Sequence, residues 1–347
     1  MDPDPGWEPA AWTTTSIGVA KMALPDRGTL GTGAPSGSPP RRPAFHGRPA
    51  RKALVFVALF GGGCVVLVCG VLAILGWVAS DRVLHPSAMS SAGLISPYRS
   101  LSSESVTFHG ATGTILSGRF FPGRLHAAIV LSHGYGATQE QMLPWASFLH
   151  QAGFSVFTYD MRGSGKSGGS ITFGALEQQD LIAAVDYLVS RPDVDKGKIA
   201  ALGFSMGGAV SIMAAARDTR IKAVVDDSGY AELDHWFSDS VGEFLRHPTD
   251  PYSLLSLKMV EWRIGINADN LRPAAKIALI SPRPVFIIQG TADHDLSPRN
   301  SIENYAAAKQ PKELWLVQGA GHGQTLQRAG SAYVRRVVAF FRKALHP

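Results

Sequence analysis

Cysteine is nearly absent from this sequence. Only Cys64 and Cys69 occur among 347 residues, and both lie within one long apolar run. Two cysteines cannot build a disulfide framework. The part of the chain after the run has no thiol with which to carry out nucleophilic chemistry.

A strong excess of one charge is also missing from most of the chain. Residues 1–52 hold seven Lys and Arg against four Asp and Glu, whereas the remainder holds 26 against 23. Proteins that bind nucleic acid carry a basic patch or stripe, and none stands out in the larger part. We therefore expect no nucleic-acid partner.

Residues 53–80 contain no charged side chain. About 20 apolar residues cross a bilayer as a helix, so this run is long enough to span. The apolar core of a cleaved signal peptide has only about 7–15 residues and lies near the N-terminus. The run therefore predicts one uncleaved transmembrane helix at 53–80, through which the protein contacts a membrane.

Basic residues flank this run unevenly. Arg82 and Arg99 follow it, whereas five precede it: Arg41, Arg42, Arg48, Arg51 and Lys52. Positive charge is retained on the cytoplasmic side of a membrane. The predicted topology is single-pass, with the N-terminus cytoplasmic and the large domain extracytoplasmic.

Composition divides the rest of the chain. Residues 1–50 contain nine Pro and seven Gly and few apolar side chains, so we expect a disordered tail. Residues 81–100 are read as a polar stalk. Residues 101–347 form the predicted globular domain, with a small cap at about 229–281.

Short apolar segments alternate with amphipathic ones from residue 104 onward. This pattern is typical of a mostly parallel sheet with helices on both faces. The first two strands, joined by a short turn, are expected to be an antiparallel edge. Strands are predicted at 104–109, 116–121, 127–132, 155–160, 198–202, 221–226, 284–289 and 313–317, and helices at 139–151, 173–190, 208–216, 300–308 and 332–345.

The pentapeptide Gly203-Phe204-Ser205-Met206-Gly207 follows one of these strands and precedes a helix. A G-x-S-x-G sequence in that setting is typical of a nucleophile elbow, a sharp turn that exposes the serine hydroxyl. The glycines remove Cβ atoms that would clash in the turn. Ser205 is therefore the predicted nucleophile.

A serine nucleophile needs a base and an acid that orients the base. His322 follows the last strand between two glycines and is the predicted base. Asp293, just after the strand at 284–289, is the predicted acid. The residue types leave three other acids open, namely Asp295, Asp226 and Asp227.

The negative oxygen formed during acyl transfer needs two backbone N–H donors. Met206, directly after the serine, is one predicted donor. The loop after the strand at 127–132 contains the second, for which we choose Tyr135 over Gly134. His133 in the same loop is interpreted as a bracing residue.

The segment 162–167 contains Gly-Lys-Ser, which suggests a phosphate-binding loop. Such a loop needs a glycine five residues before the one that precedes the lysine, and Asp160 occupies that position. We expect a bend at the top of the sheet instead, with Arg162 bracing the loops.

These motifs together resemble the α/β-hydrolase superfamily over roughly residues 100–347, in the branch of serine aminopeptidases, prolyl-oligopeptidase-type domains and bacterial esterases. The residues that carry the resemblance are His133-Gly134, the 160–167 loop, the elbow, Gly290-x-x-Asp293 and Gly321-His322. The resemblance implies an eight-stranded α/β-hydrolase sheet and serine hydrolysis without a metal or cofactor.

The expected activity is hydrolysis of a carboxylic ester, including esters derived from lipids. A serine aminopeptidase or acyl-peptide hydrolase is the alternative, and a non-catalytic membrane scaffold is a third reading. A cap carboxylate that binds a free amine would favour the peptidase. The candidates are Glu232, Asp234, Asp239, Glu243 and Glu261.

Overall fold

The computed structural model describes residues 49–86, 101–237 and 250–346. Nearly all of the predicted tail at 1–50, most of the predicted stalk at 81–100 and residues 238–249 of the predicted cap lie outside these ranges. The chain divides into two compact units at Phe60 and Gly61. The packing described below belongs to the second unit.

The apolar run forms helix α1, Pro49–Leu84. Its portion Leu54–Leu84 contains an 18-residue stretch with a mean hydropathy of 2.6 and is long and apolar enough to cross a membrane. The helix ends later than the predicted boundary at residue 80. The prediction stopped where charged residues begin, whereas the last turn continues because it packs against the globular domain.

Eight strands form one sheet in the order β1-β2-β4-β3-β5-β6-β7-β8. The predicted antiparallel edge is present, since β1 pairs with β2 and β2 with β4 in antiparallel fashion, and the other neighbours are parallel. This confirms the predicted α/β-hydrolase sheet. The strands are β1 Glu104–His109, β2 Ile115–Phe121, β3 Ala128–Ser132, β4 Ser155–Tyr159, β5 Ile199–Phe204, β6 Ile221–Asp227, β7 Val285–Gly290 and β8 Lys312–Val317.

Helices cover both faces of the sheet. They are α2 Leu143–Gln151, α3 Glu177–Ser190, α4 Met206–Arg217, α5 Asp250–Ile264, α6 Pro273–Lys276, α7 Arg299–Ala307, α8 Thr325–Ala329 and α9 Ser331–Leu345. The two faces have separate apolar cores: α3 and α4 pack on one face, and α2 and α9 on the other. Within β3, Val130 joins the first core and Leu131 the second, as the two-residue period of a strand requires.

Besides the end of α1, two predicted helix starts lie several residues too early. The segment predicted as helix from 139 begins with a 3-10 turn at Gln139–Met142 before α2. The segment predicted from 173 turns sharply first, because Phe173 and Gly174 have φ angles of 52° and 101°. The carboxylate of Glu177 then accepts the amide of Thr172 at 2.6 Å, and α3 starts at Glu177.

Candidate active site

The predicted elbow lies between β5 and α4. Ser205 has φ 55° and ψ −123°, a strained conformation for a residue with a side chain. The turn is tight enough that a Cβ on Gly203 would lie 1.9 Å from the carbonyl oxygen of Gly207. A Cβ on Gly207 would lie 2.1 Å from the carbonyl oxygen of Ser132. Both glycines are therefore required by close backbone approach.

The fold brings Ser205, His322 and Asp293 together from three separate loops. The Ser205 Oγ lies 3.0 Å from Nε2 of His322, and Nδ1 of His322 lies 2.8 Å from Oδ2 of Asp293. Burial acts to lower the pKa of His322, but the hydrogen bond and negative charge of Asp293 outweigh it and hold that pKa above its usual value. This imidazole is thus arranged to accept a proton from the hydroxyl.

Asp293 is held by three further donors. The side chain of Gln289 donates to Oδ2 at 2.8 Å, and the amides of Asp295 and Leu296 donate to Oδ1 at 3.1 and 2.9 Å. Gln289 is itself held by a 2.8 Å hydrogen bond from Ser301. Sequence reasoning missed Gln289, although a polar residue at the end of an apolar strand is a usable signal.

The three alternative acids have other surroundings. Asp295 is exposed near the site, and its amide donates a hydrogen bond to Asp293 as described above. Asp226 is fully buried and accepts the amide of Gly229 at 2.9 Å. Asp227 is also buried and accepts hydrogen bonds from Thr325 and Tyr333, each at 2.7 Å. Of the four acids, Asp293 is the one that the fold hydrogen-bonds to His322.

The loop after β3 lies beside Ser205. The amide of Gly134 donates to Oε1 of Gln141 at 2.7 Å, so this donor is occupied. Within the part of the chain that the structure describes, the amides of Tyr135 and Met206 donate no backbone hydrogen bond. Tyr135 and Met206 are therefore the available donors that the sequence predicted, and Gln141 is a supporting residue that it missed.

His133 braces this loop, as expected. The amide of Met161 donates to its Nε2 at 2.9 Å, which leaves Nδ1 to carry the proton and donate to the Gly134 carbonyl at 2.7 Å. Burial lowers the pKa of His133 and so favours this neutral form. The loops after β3 and β4 are thereby joined at the top of the sheet.

Hydrogen bonds within the segment 160–167 hold it in a closed loop. The Asp160 carboxylate accepts the amide of Lys166 at 3.0 Å, and the hydroxyl of Ser167 donates to the Asp160 carbonyl at 2.6 Å. Arg162 is buried and bonds both carboxylate oxygens of Asp180 on α3, at 2.6 and 2.7 Å. It also donates to the Ala111 carbonyl at 3.1 Å, which makes it the expected loop brace.

A cavity of about 990 Å³ opens at Ser205 and His322. Its volume is in the range of small-molecule sites, and most of its wall is apolar. The apolar side chains that line it are Val83, Tyr135, Pro144, Trp145, Phe204, Trp236 and Leu326. Val83 is on the last turn of α1, and nothing in the sequence motifs pointed to it.

The described part of the predicted cap comprises a helical turn at 233–237, α5, α6 and 3-10 turns at Ala268–Asn270 and Ile277–Ile280. Trp236 lines the cavity, whereas Phe237 and Val260 are buried in the core. The predicted cap residues Asp239 and Glu243 lie outside the described residues. Of the described carboxylates, Glu232 pairs with Arg272 and Glu261 with Lys258, and neither they nor Asp234 line the cavity.

Ligand atoms of Glu232, Asp234 and His235 lie within 4.8 Å of one another. This group does not line the cavity, and one of its carboxylates is already engaged by an arginine. Acidic groups at a surface are commonly arranged in this way without a metal ion.

Comparison with solved structures agrees with the fold. The structure resembles the Pyrococcus furiosus esterase Pf2001 with a TM-score of 0.59 and 26% identity, over 75% of this chain and 97% of that one. It also resembles the α/β-hydrolase GrgF from Penicillium sp. sh18, with a TM-score of 0.58 and 21% identity, over 71% and 100% of the two chains.

Comparison with known sequences gives the same result. The uncharacterized protein YfhR of Escherichia coli (strain K12) is 28% identical over 303 residues, which cover 85% of this chain and 94% of that protein. Residues 142–347 match the prolyl oligopeptidase family, and this range contains the elbow serine, the aspartate and the histidine brought together above. The chain is an α/β-hydrolase and belongs to the prolyl oligopeptidase family.

Proposed function

We propose that this protein is a membrane-anchored serine hydrolase that cleaves carboxylic esters through an acyl-enzyme. The observation that carries the proposal is the pair of contacts that joins Ser205 to His322 and His322 to Asp293, at 3.0 and 2.8 Å. These are the nucleophile-to-base and base-to-acid distances that such chemistry needs.

The reaction has two halves. In the first, the Ser205 hydroxyl attacks the ester carbonyl, His322 takes its proton and then gives it to the leaving alcohol. In the second, His322 takes a proton from water, which attacks the acyl carbon, and His322 then returns that proton to Oγ of Ser205 as the acyl–oxygen bond breaks and the acid leaves. Asp293 fixes the orientation of His322 and stabilises its cationic form in both halves.

The carbonyl oxygen becomes negative in each tetrahedral intermediate. The amides of Met206 and Tyr135 are the proposed donors to that oxygen. The alternative donor, Gly134, is already bonded to Gln141. The loss of one such donor typically slows acyl transfer by about 10²–10³-fold.

The apolar wall of the cavity supports an ester with an apolar acyl group, and the likeness to an esterase from Pyrococcus furiosus supports ester chemistry. The anchor is the membrane-length helix α1. The basic residues before it support a cytoplasmic N-terminus and an extracytoplasmic catalytic domain.

A fluorophosphonate probe tests the nucleophile. The wild type should be labelled, the Ser205→Ala variant should not be, and the surface variant Ser190→Ala should be labelled like the wild type. Equal labelling of Ser205→Ala would show that another residue reacts. An absence of labelling in the wild type would favour the non-catalytic scaffold.

A peptidase is the second candidate. The family match and the exposed carboxylate of Asp295 in the cavity wall favour it, because a carboxylate can bind the free amine of a peptide. The purified protein should be assayed on p-nitrophenyl esters of graded chain length and on aminoacyl anilides. Faster cleavage of the anilides, lost on Asp295→Asn, would establish the peptidase instead of the esterase.

A further inference from the structure

Helix α5 packs directly against the end of α1. Gly76 is buried in this contact, and a Cβ there would lie 3.3 Å from Leu255 and 3.4 Å from Met259. A larger residue would therefore require these side chains to shift. The ring of Trp77 meets that of Trp262 edge-on, with centroids 6.4 Å apart.

Arg263 stabilises the same contact one helical turn further along α1. Its guanidinium lies 2.8 Å from the carboxylate of Asp81, donates to Oγ of Ser80 at 2.9 Å and stacks over Trp77 at 4.1 Å. The Arg263 side chain thus makes both a cation–π contact and an ionic contact with α1, and it is only 12% exposed. The contact is a specific one, made by side chains of both helices.

The order of these contacts gives the direction of α5. Gly76 meets Leu255 and Met259, whereas Ser80 and Asp81 meet Arg263. Later residues of α1 therefore contact later residues of α5 where the two helices meet.

The level of the bilayer surface follows from the sequence of α1. The apolar run ends at Ala79, and Ser80, Asp81 and Arg82 follow. Charged side chains stay out of the hydrocarbon, and Trp is enriched at the boundary with water. Trp77 therefore marks the headgroup layer, and Trp262, which touches it, lies at the same depth.

The side of α5 that faces away from the domain exposes apolar side chains and one lysine. Trp262 is 72% exposed, Leu254 is 54% exposed, and Lys258 lies between them on the same face with a 60% exposed side chain. An exposed Trp beside a lysine that can extend its amine toward the phosphates is typical of a surface at the membrane boundary. Because α1 is the proposed membrane anchor, lipid covers its neighbouring residues, and the same lipid reaches this side of α5.

We propose that the end of α5 rests in the headgroup layer of the membrane that α1 spans, with Trp262 inserted beside Trp77. The bilayer is then a second binding partner of the globular domain, in addition to its contact with α1. The arrangement fixes the height and the orientation of the domain over the lipid.

This contact has a consequence for substrate, which rests on the proposed function. Val83 lines the cavity at Ser205 and lies six residues beyond Trp77, about 9 Å along a helix that rises 1.5 Å per residue. The cavity wall thus begins about 9 Å from the headgroup layer. An ester anchored in that leaflet therefore has to extend only about 9 Å to reach the cavity, so the expected substrates are long-chain, membrane-resident esters.

A fluorescent label tests the membrane contact without any need for activity. In the full-length chain with Cys64→Ala and Cys69→Ala, a cysteine replaces Trp262 and carries an environment-sensitive dye. The matched control is Ala339→Cys, an exposed position on α9, which packs on the opposite face of the sheet. Both proteins are placed in phosphatidylcholine–phosphatidylglycerol vesicles that contain a shallow nitroxide lipid.

The dye at 262 should lose most of its fluorescence, and the dye at 339 should keep it. Equal quenching at both positions, or none at 262, would overturn the proposed contact. This readout stays valid if the protein hydrolyses no ester at all, so it separates the membrane contact from the proposed function.

Activity tests the substrate class. Trp262→Asp should slow the hydrolysis of a long-chain ester embedded in the vesicles, while the rate on a water-soluble short-chain ester stays the same. An unchanged rate on both esters would overturn the delivery of substrate from the leaflet. An equal loss on both would do so as well, because the defect would then lie in the site and not at the membrane. Ala339→Asp is the matched control and should affect neither rate.

Discussion

The hydroxyl of Tyr135 donates a hydrogen bond of 2.5 Å to the carbonyl oxygen of Val83 in the last turn of α1. The ring of Tyr135 also packs against Phe173 and Trp236, with centroids 5.8 and 5.1 Å away. One residue thus connects the end of the membrane-length helix, the loop beside Ser205 and the cap.

Tyr135→Phe tests this connection, since it keeps the ring and the amide and removes the hydroxyl. A single hydrogen bond contributes about 1 kcal/mol, so we expect kcat/KM on a soluble ester to fall roughly fivefold. Tyr305→Phe on α7, away from the cavity, is the control and should leave kcat/KM unchanged. A wild-type rate in Tyr135→Phe would mean that the contact with α1 does not position the loop.

Asp293→Asn tests the pairing that raises the pKa of His322. The base works in its neutral form, so a raised pKa places the acid limb of kcat/KM above the ordinary histidine value of about 6.5. Without the carboxylate the limb should move to lower pH, and kcat should fall by about 10⁴-fold. A pH–rate profile measures both effects.

The control for that profile is Glu313→Gln, an exposed carboxylate on β8. It should change neither the limb nor kcat. An acid limb that stays in place in Asp293→Asn would show that another group sets the pKa of the base.

Asp226→Asn should change how stability depends on pH. Burial, aided by the charge of Asp227, raises the pKa of Asp226 to about 8 from an ordinary 3.8. Between these values the folded state keeps a proton that the unfolded state has lost, so the free energy of unfolding decreases as pH rises. The variant removes this loss, and its advantage over the wild type should grow from about pH 4 to about pH 8.

Urea unfolding of the full-length protein in detergent, at a series of pH values, measures this trend. In the control variant Asp186→Asn, at an exposed position on α3, the free energy of unfolding should depend on pH as it does in the wild type. A constant difference between Asp226→Asn and the wild type at all pH values would contradict the raised pKa.

Asp180→Ala should destabilise the fold strongly. It leaves the buried Arg162 guanidinium without its bidentate partner, and breaking a buried ion pair costs about 3–5 kcal/mol. Arg299→Ala breaks an exposed pair on α7 and should cost only about 0–1 kcal/mol. The double variant Arg162→Met/Asp180→Leu should recover part of the loss, and equal losses in Asp180→Ala and Arg299→Ala would refute the argument.

Much of this architecture could be predicted from local sequence patterns. The elbow could be predicted because Gly203 and Gly207 are needed within five residues of one another, and close approach there is a local requirement. The positions of the strands along the chain could be predicted from their apolar runs. His322 and Asp293 could be proposed because each follows a strand, and the ends of parallel strands meet at one edge.

Contacts between distant segments could not be predicted in this way. Gln141 and Gln289 act on backbone and carboxylate groups whose positions only the folded chain defines. Val83 belongs to a segment whose composition indicates only a membrane anchor, and its place in the cavity depends on how α1 ends against the domain. The predicted start of α3 was too early, because the segment before it forms a turn in which the Glu177 carboxylate accepts a hydrogen bond from the amide of Thr172.

The peptide groups on either side of Gly134 are both engaged, its N–H by Gln141 and its C=O by His133, each at 2.7 Å. The loop that carries Tyr135 therefore has its shape before any substrate arrives. The conformational entropy of ordering that loop is lost once, when the chain folds. It is not lost again in each turnover, so substrate binding energy remains available for the bond that breaks.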